Sequence, residues 1–250
     1  MPHVVKVILN ILSFFMTKKI SLLTSIRINK PLFLGGIGSY PKSFIFSKLD
    51  SLPKWSMPRF MVITKDTSTE KILAFAKYPC ILKPDRGRRG RNVVLIETEQ
   101  ELLRALPVKQ DHILSDFYDY PYEGGLFFIR KTETIYVNLR LYKRGNKFCR
   151  EITDRRISKL TQEKFEYEDI TTLMSPKAKK YLTNICKKVS ILEYGRFDIR
   201  IHNLSKFLKE GKSWKLLELN LGIDTIPHHT YDKRYNWRDE YNKVLKQAFT

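Results

Sequence analysis

Asp198, Glu218 and Asn220 are the residues whose types and spacing most directly imply chemistry, because all three end in hard oxygen donors. Asp198 lies in the alternating run Arg196-Phe197-Asp198-Ile199-Arg200-Ile201, and Glu218 and Asn220 close a second run, Trp214 to Asn220. Both runs predict strands, in which residues i and i+2 share a face. Pairing through the Asn203 to Lys212 connection would bring the three oxygens together beside Arg196 and Arg200. Such donors suit Mg²⁺, which takes one or two carboxylates and completes its shell with substrate phosphates. A hairpin with a charged solvent face is the alternative for this segment.

A second segment also points to phosphate. Residues 76–85 run as an apolar strand containing Ile81-Leu82-Lys83-Pro84-Asp85, turn through Arg86-Gly87-Arg88-Arg89-Gly90-Arg91-Asn92, and return as Val93-Val94-Leu95-Ile96. Gly87 and Gly90 let backbone N–H groups approach an anion closely, and Asn92 tolerates a left-handed conformation. Lys83, at the end of the strand, could reach phosphate oxygens as a point charge. Its spacing from the glycines is not that of a Walker A loop. An exposed basic hairpin turn is the other reading.

Together the segments resemble the ATP-grasp superfamily, nearest its carboxylate–amine ligase branch and more distantly the D-alanine–D-alanine ligases. Ile81 to Asp85 with Gly87, Arg89 and Gly90 resembles the phosphate-binding lysine and mobile glycine loop. Ile113 to Glu123 resembles the interlobe segment that reads adenine and ribose. Gly195-Arg196-Phe197-Asp198 and Glu218-Leu219-Asn220 resemble the magnesium-binding core, and Gly222 to Thr225 with His229-Thr230-Tyr231-Asp232 the signature after it. The resemblance covers roughly residues 55 to 250. Ser115-Asp116 departs from the family's usual glutamine and glutamate, Asn92 from a usual glycine, and Thr153-Asp154-Arg155 from a threonine–glutamate–lysine run.

The resemblance implies an α+β fold of two lobes with the nucleotide between them. The expected division is a short basic region with an apolar helix over residues 1–60, a small lobe over 61–118 and a large lobe over 119–250. The cofactors it implies are ATP and Mg²⁺. Lys83, Gly87, Gly90 and Arg155 would then contact phosphates, Asp116, Phe117 and Tyr118 adenine, and Glu123 ribose. Asp198, Glu218 and Asn220 would hold Mg²⁺, while Arg89, Arg196 and Arg200 would stabilise the transferring phosphoryl group. The implied activity joins a carboxylate to an amine through an acylphosphate. A kinase on the same scaffold and a non-catalytic binder of nucleotide or polyanion are the alternatives.

Composition fits a folded chain with an unusual charge. Its 250 residues, 42% hydrophobic, can bury a sizeable core. Cys80, Cys149 and Cys186 show no metal-ligand spacing, and an odd count argues for free thiols in a reducing interior. His228-His229 offers no metal pair, since adjacent residues of an extended chain point opposite ways. The net charge of +20 exceeds what ATP needs, and attracts anions generally. In residues 1–60, Lys6, Lys18, Lys19, Arg27, Lys30, Lys42, Lys48, Lys54 and Arg59 face Asp50 alone. An acidic acceptor or an anionic membrane would suit such a surface. No nucleic-acid motif accompanies the charge.

Residues 1–24 predict an apolar helix with one narrow polar stripe, Lys6, Asn10, Ser13 and Thr17. It is too short to span a bilayer. Burial or contact with a second subunit is the first reading, and peripheral contact with the inner membrane surface the second. Further helices are expected over 68–77, 97–106, 175–192 and 239–249, and strands over 127–130, 135–142 and 147–153.

Overall fold

Alternation of apolar and polar side chains builds the larger of two sheets. The computed structural model describes residues 40–87, 92–144, 147–151, 165–221 and Lys246. Strands β1 (Phe60–Ile63), β2 (Cys80–Pro84), β3 (Val94–Ile96) and β4 (His112–Asp116) form an antiparallel sheet in the order β1-β4-β2-β3. A second sheet runs β10-β9-β5-β6-β7, with β8 also paired to β6. Its members are β5 (Tyr122–Ile129), β6 (Thr134–Arg144), β7 (Lys147–Cys149), β8 (Phe165–Asp169), β9 (Tyr194–Ile201) and β10 (Trp214–Asn220). The helices are α1 (Lys42–Phe46), α2 (Thr69–Phe75), α3 (Glu99–Ala105), α4 (Pro176–Lys187) and α5 (Leu204–Glu210). The expected α+β class and two-lobe layout are observed.

The small lobe owes its helices to local capping. Ser68 Oγ accepts from Lys71 N at the start of α2, and Thr98 Oγ1 from Glu101 N at the start of α3. Glu101 also accepts from Glu97 N at 2.8 Å, so two unsatisfied backbone donors find partners. Ile63, Ile72, Leu82, Ile96, Leu102 and Leu114 pack with Cys80 beneath these helices.

In the large lobe one sheet face is apolar, and the other carries polar side chains beside a small apolar cluster of Phe127, Ile129, Tyr136 and Tyr194. Phe197, Ile199 and Ile201 of β9 are fully buried against Leu182, Ile185 and Cys186 of α4 and Phe207 of α5. The same core takes in Ile45, Phe46, Leu49 and Leu52. Part of the expected N-terminal region therefore packs as a component of the large lobe. Cys80 and Cys186 are buried thiols, and burial pushes Cys80 up to about 11. No helix among the described residues is long and apolar enough to cross a membrane.

Several boundaries differ from the sequence expectation. The strand expected to start at Phe127 begins at Tyr122 and runs through two glycines. A Cβ at Gly124 would stand 2.3 Å from the Asn138 carbonyl oxygen, so glycine is required where β5 meets β6. The Asn203 to Lys212 connection contains α5, capped by the Asn203 side chain and ended by Gly211 at φ 70°. β8 was not anticipated, and the helix expected to reach Leu192 ends at Lys187. The N-terminal helix, the residues after Leu221 with their signature, and the C-terminal helix lie outside the described residues, save Lys246.

Candidate active site

Antiparallel register decides which side chains meet on the polar face. Glu218 stands opposite Asp198, and Asn220 opposite Arg196. Asn220 Nδ2 donates to Asp198 Oδ2 at 2.6 Å, while Arg196 Nε donates to Asp198 Oδ1 at 2.7 Å. The three oxygen-bearing residues thus share one surface, with Arg196 at its edge. Rotating the Asn220 amide would present its oxygen in place of its nitrogen. Two carboxylates and an amide are donors that a hard cation accepts, provided phosphates complete its shell. Among the described residues, no cluster of three or more His, Cys, Asp or Glu side chains could hold a metal by itself.

A bulge at the middle of β10 shapes the same surface. The register shifts between Leu216 and Glu218, so Leu217 is the extra residue. Its carbonyl accepts from Lys83 Nζ at 3.0 Å, which joins β2 of the small lobe to β10 of the large one. Burial lowers the Lys83 pKa; Glu218 and Asp85 oppose that shift, and Lys42 adds to it. The bulge also turns Lys215 onto the polar face, opposite Arg200. Lys215 Nζ lies 5.0 Å from the Tyr118 ring centroid, and its pKa is lowered by burial against the attraction of Asp116.

Lys42 is a site residue that sequence reasoning missed. It is 8% exposed, donates to Gly87 O at 2.7 Å, and lies 3.5 Å from Glu218 Oε1. Asp85 fixes it there: its carboxylate accepts from Ser43 N and Ser43 Oγ, both at 2.8 Å, and its carbonyl accepts from Lys42 N. Lys42 thus pairs with Glu218 while Lys83 bonds to the carbonyl of the preceding residue, which puts two ammonium groups at the junction of the lobes. No local periodicity signals this, because Lys42 and Glu218 are distant in sequence.

The interlobe residues are more heavily paired than expected. Asp116 Oδ1 lies 3.2 Å from both Nε and Nη2 of Arg59, and Oδ2 accepts from Tyr118 Oη. The Arg59 guanidinium stacks 4.2 Å above the Phe75 ring. Asp116 is thereby tied to Arg59 and Tyr118. Phe117 and Tyr118 follow it in the connection to β5. Burial raises the Tyr118 pKa, helped by Asp116.

Two further assigned residues are paired with each other. Glu123, expected on ribose, pairs with Arg140 at 2.5 Å and Arg200 at 3.1 Å and accepts from Tyr142 Oη at 3.1 Å. Burial works to raise its pKa, but Arg140, Arg200 and the Tyr142 hydroxyl outweigh this and hold the carboxyl below its ordinary range. Arg200, expected at the transferring phosphoryl group, is 2% exposed and donates to Tyr120 O at 3.1 Å. Both belong to an ionic cluster on the same sheet face as Asp198 and Glu218. Of the glycine-loop residues, Gly87 is in place beneath Lys42. Asn92 adopts the left-handed conformation, with φ 58°. Arg89, Gly90 and Arg155 lie outside the described residues.

No family model and no curated protein matches the sequence. Solved structures do resemble the fold. VanG D-Ala:D-Ser ligase from Enterococcus faecalis superposes with a TM-score of 0.55 at 15% identity, covering 84% of this chain and 61% of that one. D-alanine–D-alanine ligase from Bacillus anthracis complexed with ATP gives 0.51 at 13% identity, covering 83% and 64%. The ATP-grasp ligase PsnB complexed with minimal precursor gives 0.50 at 16% identity, covering 90% and 62%. The chain thus spans under two thirds of the length of each structure. What such identities establish is a common fold.

Proposed function

The chain has the ATP-grasp fold, and from that premise we propose that it is an ATP-dependent ligase, activating a substrate carboxylate as an acylphosphate for attack by an amine. The observation that carries this reading is the pairing of Lys42 with Glu218 and the bond of Lys83 to the neighbouring Leu217 carbonyl at the lobe junction, on the strand that also carries Asn220 of the Asp198–Asn220 pair. Lys83 reaching in from the small lobe, with Lys42 and the oxygen donors on the large-lobe side, makes a site for a metal-bound polyphosphate.

In this reading Lys83 and Lys42 bind the α- and β-phosphates, and the backbone of Phe117 and Tyr118 holds adenine. Asp198, Glu218 and Asn220 would hold Mg²⁺, which would supply neutralisation of phosphate charge. Arg196 stands beside the γ-phosphoryl group and offsets the charge that develops as it moves. A carboxylate oxygen attacks the γ-phosphorus, the bond to the bridging oxygen breaks, and ADP leaves. An amine nitrogen then attacks the acyl carbon, phosphate departs, and the amine proton passes to solvent. The chain's part throughout is positioning and charge complementarity. Arg89, Gly90 and Arg155 are assigned to the phosphates, and the basic excess favours an acidic acceptor.

Calorimetry of ATP binding with and without Mg²⁺, on the native chain and Glu218→Gln, tests the proposal. Binding is expected to require Mg²⁺ and to weaken in the variant. A folded chain that binds no nucleotide overturns the ligase reading. A pH series adds a second check. Because the Lys83 pKa is lowered, its positive charge is lost at lower pH than that of an ordinary lysine. ATP affinity is expected to fall on the alkaline side, from below the lysine value of 10.5, and Lys83→Arg to flatten that limb. An alkaline limb unchanged in Lys83→Arg would place the titrating group elsewhere.

A further inference from the structure

The back of the large lobe carries a basic surface that nucleotide chemistry does not use. On α4, Ala178, Leu182, Ile185 and Cys186 face the core. At 100° per residue this sends Lys177, Lys180 and Lys188 to the opposite, solvent side. All three are exposed, as are Lys206 and Lys209 of α5 and Lys212 beyond it. The two helices are joined where Ser175 Oγ donates to Lys209 O at 2.6 Å and Ser175 N to Leu208 O at 2.9 Å. The lysines of α5 therefore continue the surface begun on α4. Lys187 is left out of the count because it pairs with Glu133 at 2.5 Å. Glu210 is the acidic residue within α5, and α4 has none.

Apolar side chains edge the same surface. Leu173, just before α4, is 53% exposed, and Trp55 is 39% exposed. Trp55 bonds to the Tyr181 hydroxyl, and Lys212 Nζ lies 5.7 Å from the Tyr181 ring centroid. Trp55, Tyr181 and Lys212 are thus contiguous on one outer layer. That layer covers the apolar face of the sheet, with the Asp198 and Glu218 side on the other.

We propose that this face docks on an anionic lipid bilayer. The cations of the patch are all lysines, strongly hydrated point charges suited to a diffuse plane of headgroup phosphates. Bidentate reading of a nucleic acid would call for the arginine fork. Trp55 and Leu173 have the character of side chains that enter the interface while lysines stay among the headgroups. Docking there leaves the lobe junction directed away from the membrane. The proposal is independent of the ligase reading, since it uses no residue of the cleft.

The test is sedimentation of the full chain with vesicles of phosphatidylcholine, with and without phosphatidylglycerol. Binding is expected only with the anionic lipid and is expected to fall as salt is raised. Combined Lys177→Glu, Lys180→Glu, Lys209→Glu and Lys212→Glu should weaken partitioning at least about tenfold, with near-ultraviolet circular dichroism unchanged. Trp214 is buried, so with Trp237→Phe as the common background a blue shift of tryptophan emission on vesicles should be lost when Trp55→Phe is added. Three results overturn the proposal: no preference for anionic vesicles, undiminished binding by the charge-reversed chain, or patch-dependent binding of an oligonucleotide without binding of vesicles.

Discussion

Glu218→Ala is expected to abolish ATP turnover, by on the order of 10³-fold or more, while leaving the chain folded. Glu218 pairs with Lys42 and stands opposite Asp198, so its removal takes a donor from the oxygen set and the counter-charge from Lys42. The stability cost should be small by comparison. Its side chain is 32% exposed and its ion pair with Lys42 spans 3.5 Å. A partly exposed pair of this kind contributes roughly 0–1 kcal/mol, which moves the melting temperature by only about 2–4 °C. Phosphate release and thermal unfolding, measured on the same preparation, separate the two effects. Turnover at the native rate in this variant would remove Glu218 from the site and the proposed chemistry with it.

The second large effect is on stability. Glu123→Ala should destabilise the chain by about 3–5 kcal/mol, because it strands two guanidinium groups. Arg200 is almost wholly buried, and both arginines use Glu123 as counter-ion. On a chain of this size the loss corresponds to a melting temperature lower by roughly 10 °C. Glu123→Gln should not rescue it fully, since it keeps a hydrogen-bonding oxygen but not the charge. The carboxyl is held below its ordinary value of 4.5 by Arg140 and Arg200, so its contribution is complete above that value. That contribution disappears as pH falls through the lower folded value. Acid titration of stability should therefore be steeper for the native chain than for Glu123→Ala below about pH 4.5. Equal acid slopes and equal urea midpoints would show that the cluster does not brace the sheet.

The contrast between these residues shows what a sequence can disclose. Asp198, Glu218 and Asn220 are legible because period-two alternation fixes a face within each strand and one short connection fixes the pairing. Glu123, Arg140 and Arg200 alternate just as regularly. Their mutual pairing depends on β5 lying between β6 and β9, which no single strand encodes. Lys215 was hidden by the bulge at Leu217, since simple alternation puts it on the face away from Glu218. Lys42 reaches the site through Asp85, a contact between segments 42 residues apart. α5 did carry legible signals, Asn203 at one end and Gly211 at the other, within a segment read only as a connection. Caps and alternation are local; the lobe junction is made by contacts that are not.

The bond from Lys83 to the Leu217 carbonyl has a consequence for how the cleft trades partners. At rest the protein supplies its own surrogate for a phosphate oxygen: a backbone carbonyl for Lys83 and another, that of Gly87, for Lys42. On the proposed ligase reading, ligand capture would be an exchange reaction, in which each ammonium releases one oxygen to take another. The affinity gained from either lysine is the difference between two bonds rather than the whole of one. The same exchange would untie the small lobe from β10, coupling occupancy of the cleft to the freedom of the lobes to move.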